Sequence, residues 1–107
     1  MDNWELGPAE LVALREAGTP FVLLDVRTPM EAEICSIEGS VLIPLQELQQ
    51  RHAEVPRDAQ VVVYCHHGMR SLQAAMFLKQ QGVSQVRSLA GGIDLWSRTV
   101  DGSVPRY

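Results

Sequence analysis

The stretch Tyr64-Cys65-His66-His67-Gly68-Met69-Arg70-Ser71 sets a thiol, two imidazoles, a guanidinium and a hydroxyl close together. The run before it, Val61-Val62-Val63-Tyr64, is β-branched and free of polar interruption, which predicts a buried strand. The run after it, Ser71 to Gln81, carries Leu72, Ala75, Met76 and Leu78 at helical spacing and meets Gly82, which predicts a helix and its stop. The chemical residues therefore fall on a strand-to-helix loop. In open α/β sheets, ligand sites form beyond the carboxyl ends of strands, where such a loop lies. A loop curling into a helix N-terminus turns its N–H groups inward, and the helix dipole adds partial positive charge. A cysteine that opens such a loop is favoured as the thiolate near neutral pH. Gly68 has no Cβ and is free to take positive φ or to let a substrate approach closely. Arg70 brings a permanent charge able to hold a small oxyanion in a fork. Together these parts describe a nucleophilic thiolate in an anion-holding cradle. The competing reading is a buried structural cysteine followed by an ordinary turn, and the polar His66-His67 pair argues against it.

The elements that must position this loop are legible in outline. Gly7 as N-cap, Pro8 at the first helical position and Glu10 in the first turn open a helix that continues through Leu11, Leu14 and Arg15 to Gly18. Phe21 to Val26 reads as a strand buried on both faces, because it is continuous rather than alternating. Thr28-Pro29 starts a short helical stretch, Val41-Leu42-Ile43 is a second short apolar run, and Leu45 to Gln49 has helical spacing. Val86 to Leu89 is a further strand candidate, and Gly91-Gly92 turns the chain into a last helix around Ile93 to Trp96. Trp4-Glu5-Leu6 offers an edge strand. Strands alternating with helices predict a small α/β domain with a mostly parallel central sheet. No internal repeat or linker interrupts residues 1–107, so one domain is expected. Trp96 and Leu95, and likewise Leu72, Met76 and Phe77, are expected in the core, whereas His52 and the Arg57-Asp58 pair are expected on solvated faces.

Composition narrows the function classes. The chain has 107 residues, with 46% apolar and 21% charged, which is ordinary globular chemistry. Nine basic against thirteen acidic residues give a net charge of −4, which argues against a nucleic-acid partner. The apolar runs are too short to span a bilayer. The opening Met1-Asp2-Asn3-Trp4-Glu5 lacks the basic-then-apolar layout of a signal peptide, so a cytoplasmic protein is expected. Two cysteines, Cys35 and Cys65, are too few for a disulfide scaffold. A monomer is the default for one compact domain.

The loop, read as Cys-x-x-Gly-x-Arg-Ser, resembles the active-site loop of rhodanese-like sulfurtransferases. Three further stretches agree with that family in order. They are Leu23-Leu24-Asp25-Val26-Arg27-Thr28-Pro29-Met30-Glu31, Ile37-Glu38-Gly39-Ser40-Val41-Leu42-Ile43-Pro44-Leu45, and Leu89-Ala90-Gly91-Gly92-Ile93-Asp94-Leu95-Trp96. The resemblance implies a rhodanese-like fold, a mostly parallel five-stranded sheet flanked by helices on both faces. It also implies a sulfurtransferase: a cysteine thiolate takes sulfane sulfur from a donor such as thiosulfate, becomes a persulfide, and passes the sulfur to a nucleophilic acceptor. On this chain Cys65 would be the nucleophile. His66, His67, Gly68, Met69, Arg70 and Ser71 would form the loop that cradles the persulfide and the donor anion. Arg70 would close the loop, its guanidinium turned to loop carbonyls and acidic neighbours as well as to substrate. No cofactor or metal is implied.

Loop length separates this chemistry from that of cysteine phosphatases, whose related cradle has one more residue between cysteine and arginine. The shorter ring suits a single sulfur atom better than a phosphate. The thiol at Cys35 and the tail from Trp96-Ser97-Arg98 to Val104-Pro105-Arg106-Tyr107 resemble rhodanese domains fused to enzymes that load sulfur-carrier proteins, which suggests a protein acceptor. Packing as a small apolar residue is the simpler role for Cys35. Adjacent side chains diverge as a rule, so His66 and His67 are expected to tune the pocket rim by partial protonation rather than to bind metal. Asp25 and Arg27 follow a buried strand end and are expected to form a structural ion-pair network with Glu31 or with loop amides. The alternative to an enzyme is a non-catalytic or redox-sensing interaction module of the same fold.

Overall fold

A computed structural model describes residues 4–107; Met1 to Asn3, part of the segment read above for a leader, lie outside the described residues. The chain runs β1 (Glu5–Leu6), α1 (Pro8–Glu16), β2 (Val22–Asp25), α2 (Pro29–Ile34), β3 (Val41–Leu42), α3 (Leu45–Arg51), a 3₁₀ turn (His52–Glu54), β4 (Gln60–Tyr64), α4 (Met69–Gln80), β5 (Gln85–Leu89) and α5 (Gly92–Thr99). The strands form one sheet in the order β1-β5-β4-β2-β3, and every neighbouring pair is parallel. The sheet is thus wholly parallel, where a mostly parallel one was expected.

Side-chain alternation along β4 explains why its sequence is continuously apolar. Val61 and Val63 enter a core layer with Leu24, Leu48, Ala74, Ala75 and Leu78, which lies under α3 and α4. Val62 and Tyr64 point the other way, into a layer with Leu11, Leu23, Leu89, Ile93 and Trp96 under α1 and α5. Both faces of the central strands are therefore covered by helices, as parallel sheets require.

Helix α4 starts two positions earlier than the apolar pattern indicates, because Gly68 takes φ +109° as its N-cap and the helix begins at once. Its buried face is Ser71, Ala74, Ala75 and Leu78, while Met76 is 47% exposed and does not belong to the core. Three of the four residues of this i, i+3, i+4, i+7 stripe, Ser71, Ala74 and Ala75, are small and let the helix lie close on the sheet, and that rotation carries Met76 outward. Leu72, Phe77 and Leu95 are half-buried rather than fully enclosed. His52 and Arg57 also differ from expectation: Arg57 Nη2 lies 2.8 Å from His52 Nδ1, and the His52 ring packs edge-on against Phe77. Among the described residues, no helix is long and apolar enough to cross a membrane.

Candidate active site

Cys65 follows β4 directly and is 1% exposed, so it is the floor of the loop rather than a projecting thiol. The chain curls over it. The N–H of Gly68 donates to Cys65 Sγ at 3.1 Å and the N–H of Ser71 at 3.4 Å. The thiol in turn faces Ser71 Oγ at 3.4 Å. Positive φ at Gly68 is what turns its N–H back onto the sulfur while α4 is launched in the other direction. Ser71 Oγ donates to the Gly68 carbonyl at 3.2 Å and pairs with Ser88 Oγ on β5 at 2.7 Å, so a buried hydroxyl pair braces the loop from below. Ser88 carries no sequence signal for this role, since it lies within an ordinary strand.

The upper side of the loop is held by α5. The N–H groups of Ile93 and Asp94 donate to the carbonyls of Cys65 and His66 at 2.9 and 3.1 Å. Gly92 makes this possible: its φ is +60°, and a Cβ there would strike the His66 and Cys65 carbonyl oxygens. The two carbonyls are thus spent on α5, which leaves the inward N–H groups to face the sulfur.

Arg70 does not present a free fork. Its Nη1 and Nη2 bind Glu31 Oε1 and Oε2 at 2.7 and 2.8 Å, which ties the loop to α2. The bond to Glu31, more than the charges of Glu31 and Cys65, pushes the Arg70 guanidinium up against the opposing effect of burial. The same pair holds Glu31 well below the usual carboxylate range, with Tyr107 and Thr28 adding to it. Of the acidic neighbours expected for Arg70, Glu31 is thus the one that takes its guanidinium.

Residues 7–99 match the family described as the Rhodanese-like domain. The chain belongs to the rhodanese-like family. A sulfurtransferase of Allochromatium vinosum is 42% identical over 91 residues, covering 84% of this chain and 85% of that one. The thiosulfate sulfurtransferase GlpE of Pseudomonas fluorescens is 38% identical over 92 residues, 86% of this chain and 83% of that one. The probable adenylyltransferase/sulfurtransferase MoeZ of Mycobacterium tuberculosis is 34% identical over 94% of this chain, which spans only 26% of MoeZ. The crystal structure of a rhodanese-related protein from Thermoplasma volcanium superposes with a TM-score of 0.81 at 34% identity, covering 90% of this chain and 92% of that one.

In this rhodanese-like domain Asp25 and Arg27 form a buried pair beneath α2. Arg27 Nε and Nη2 bind Asp25 Oδ1 and Oδ2 at 2.9 and 2.7 Å, and Arg27 is 0% exposed. Nη2 also donates to the Cys35 carbonyl at 2.7 Å, and Nη1 to the Glu31 carbonyl at 3.3 Å and the Tyr107 hydroxyl at 3.0 Å. Burial works against the charge, yet the Asp25 and Tyr107 bonds leave the Arg27 pKa raised. The expected network therefore exists, but Glu31 gives Arg27 its carbonyl and keeps its carboxylate for Arg70. Cys35 is a free, buried thiol in the same core layer as Trp96, with Arg27 Nη1 3.9 Å from its sulfur. Packing is the role its surroundings show.

The two histidines do not diverge. Their ring centroids are 3.9 Å apart at a 31° tilt, and His66 also stacks flat on Tyr107. Burial, with the neighbouring His67 adding to it, lowers the His66 pKa and so works against a positive charge at the rim. Exposed Met69, at 76%, is the apolar part of that rim. His66, His67 and Asp94 bring ligand atoms within 4.8 Å of one another. Asp94 is already matched by Arg106 at 3.3 Å and Arg98 at 3.7 Å, which makes it a poor carboxylate for a cation. Tyr107 is the site residue that sequence reasoning missed: no periodicity or motif links it to Glu31 or Arg27. Burial pushes its phenol up to about 12, so it keeps its proton and donates to Glu31 Oε2 at 2.7 Å.

Proposed function

We propose that the chain is a sulfurtransferase that moves sulfane sulfur from a small anionic donor such as thiosulfate to a nucleophilic acceptor through a persulfide on Cys65. The observation that carries this reading is the convergence of the Gly68 and Ser71 N–H groups, at 3.1 and 3.4 Å, on a single sulfur at the start of α4. Donors so placed favour an anionic sulfur and the developing charge of a transfer centred on it. In the first step the Cys65 thiolate attacks the outer sulfur of thiosulfate. A new S–S bond forms, the old one breaks, and sulfite leaves with the bonding pair. In the second step the acceptor attacks the outer persulfide sulfur and Cys65 leaves as thiolate. Cyanide, a small thiol and a sulfur-carrier protein are all acceptors of the required nucleophilic kind. Splitting one transfer into two predicts ping-pong kinetics. No step needs a metal or cofactor.

The 1% exposure of Cys65 favours a second reading, a silent or redox-sensing interaction module that keeps its cysteine as packing. Intact mass spectrometry after thiosulfate treatment separates the two. The sulfurtransferase gains one sulfur atom, removable by cyanide, and the Cys65→Ala variant does not. A wild-type chain that stays unmodified with thiosulfate and with organic persulfides would leave only the module.

A further inference from the structure

The segment after α5 returns to the loop. Ser97 Oγ donates to the Val104 carbonyl at 2.6 Å, and Val104 packs against the core layer of Ile93 and Trp96. Arg106 then reaches Asp94 at 3.3 Å. These contacts deliver Tyr107 onto the site, its ring on that of His66 with centroids 3.8 Å and planes 6° apart. The hydroxyl accepts from Arg27 Nη1 at 3.0 Å and donates to Glu31 Oε2 at 2.7 Å. The other carboxylate oxygen, Oε1, is held by the N–H and hydroxyl of Thr28, both at 3.2 Å. Glu31 is thus clamped from two sides while it grips the Arg70 fork. Tyr107 lies beyond residues 7–99, the segment that matches the family.

Resting on the sulfurtransferase reading above, we infer that Tyr107 is a positioning residue: through Glu31 it fixes the guanidinium of Arg70, a member of the loop that curls over Cys65, and so sets how well the Cys65 sulfur receives an anionic reagent. The Tyr107 hydroxyl accepts from Arg27 and donates to Glu31 through one oxygen. Phenylalanine keeps the ring on His66 and breaks both bonds. Glu31 Oε2 is then left with Arg70 alone, and the carboxylate and guanidinium turn together about the remaining Thr28 contacts. Displacing a charged group by a fraction of an ångström is enough to change a rate at the reacting atom.

The test compares wild type, Tyr107→Phe and Tyr107→Ala by the rates at which iodoacetate and iodoacetamide alkylate Cys65, read from the mass of the Cys65 peptide. In both reagents the thiolate displaces iodide and forms a C–S bond; they differ in charge, so their ratio reports the field at the sulfur. The ratio of iodoacetate to iodoacetamide should fall about fivefold in Tyr107→Phe, with the iodoacetamide rate itself changed less than about twofold. Sulfur uptake from thiosulfate should slow by the same factor. Tyr107→Ala should show the same fall in the ratio, because the hydroxyl rather than the ring carries it. An unchanged ratio in Tyr107→Phe overturns the inference, and does so even where thiosulfate loads all three proteins. A ratio that falls while wild type takes no sulfur from any donor upholds the positioning of Arg70 and removes the sulfurtransferase reading instead.

Discussion

At the level of single residues, the site is built from charges that are matched before any substrate arrives. Arg70 is closed on Glu31, Arg27 on Asp25, and Arg106 and Arg98 on Asp94. What faces the cysteine instead of a free charge is the pair of N–H groups of Gly68 and Ser71, both aimed at its sulfur. This division has a pH consequence at Glu31. Its folded pKa lies far below the ordinary 4.5, mainly through the Arg70 bond. A depressed carboxylate stabilises the fold fully above its unfolded pKa, and that stabilisation fades as pH falls toward the folded value. Wild-type stability should therefore decline below about pH 4.5, with Glu31 supplying part of the slope. In Glu31→Gln the urea midpoint should be lower at pH 7 and should depend less on pH between about 4.5 and 2.5. Parallel curves for the two proteins over that range would remove Glu31 from the linkage. Cys65, Gly68 and Arg70 were readable from sequence because a thiol, a positive-φ glycine and a helix start fall on neighbouring positions. The partner of Arg70 was one of several acids on offer, and only the fold decides among them.

At the level of elements, α5 serves the loop as much as it serves the core. Its first N–H groups take the Cys65 and His66 carbonyls, and this needs Gly92 to lie against them without a side chain. Gly91-Gly92 was visible as a turn, but its contact with the loop was not, because the two segments meet only after β5 has been laid beside β4. Methyl addition separates these roles. Gly92→Ala forces a Cβ into two carbonyl oxygens at a φ of +60°, and should cost about 3 kcal/mol in urea unfolding. Gly102→Ala places its Cβ where nothing lies within 4 Å, and should stay within about 0.5 kcal/mol of wild type. Equal, small losses at both positions would mean that α5 does not seat directly on the loop. The early start of α4 comes from Gly68 as its N-cap, and the outward turn of Met76 from the residues that face the sheet. Sequence periodicity weighs residues by polarity, whereas the buried stripe here was selected for small size against the sheet.

At the level of the whole molecule, the parallel sheet was legible because strands covered on both faces have no polar alternation, and β2 and β4 showed none. Tyr107 was not legible, because its partners lie 76 and 80 positions away and the contacts form only through the path of the segment after α5. Net charge, by contrast, is a property read directly from sequence whose effect depends on the structure. The chain carries −4, and each arginine hydrogen-bonded or bridged around the loop is matched by a carboxylate. The near field at the mouth of the site is therefore close to neutral, and the far field is negative. A dianion such as thiosulfate approaches against that far field until salt screens it, which happens over about 10 Å at 0.1 M ionic strength. The second-order rate of sulfur uptake by Cys65 should thus rise about twofold between roughly 0.01 and 0.2 M sodium chloride. A neutral alkylating reagent should show no such rise. A rate that falls with salt would mean that an unmatched positive field reaches beyond the loop, and the pairing of Arg70 with Glu31 would then not describe the protein that meets the donor.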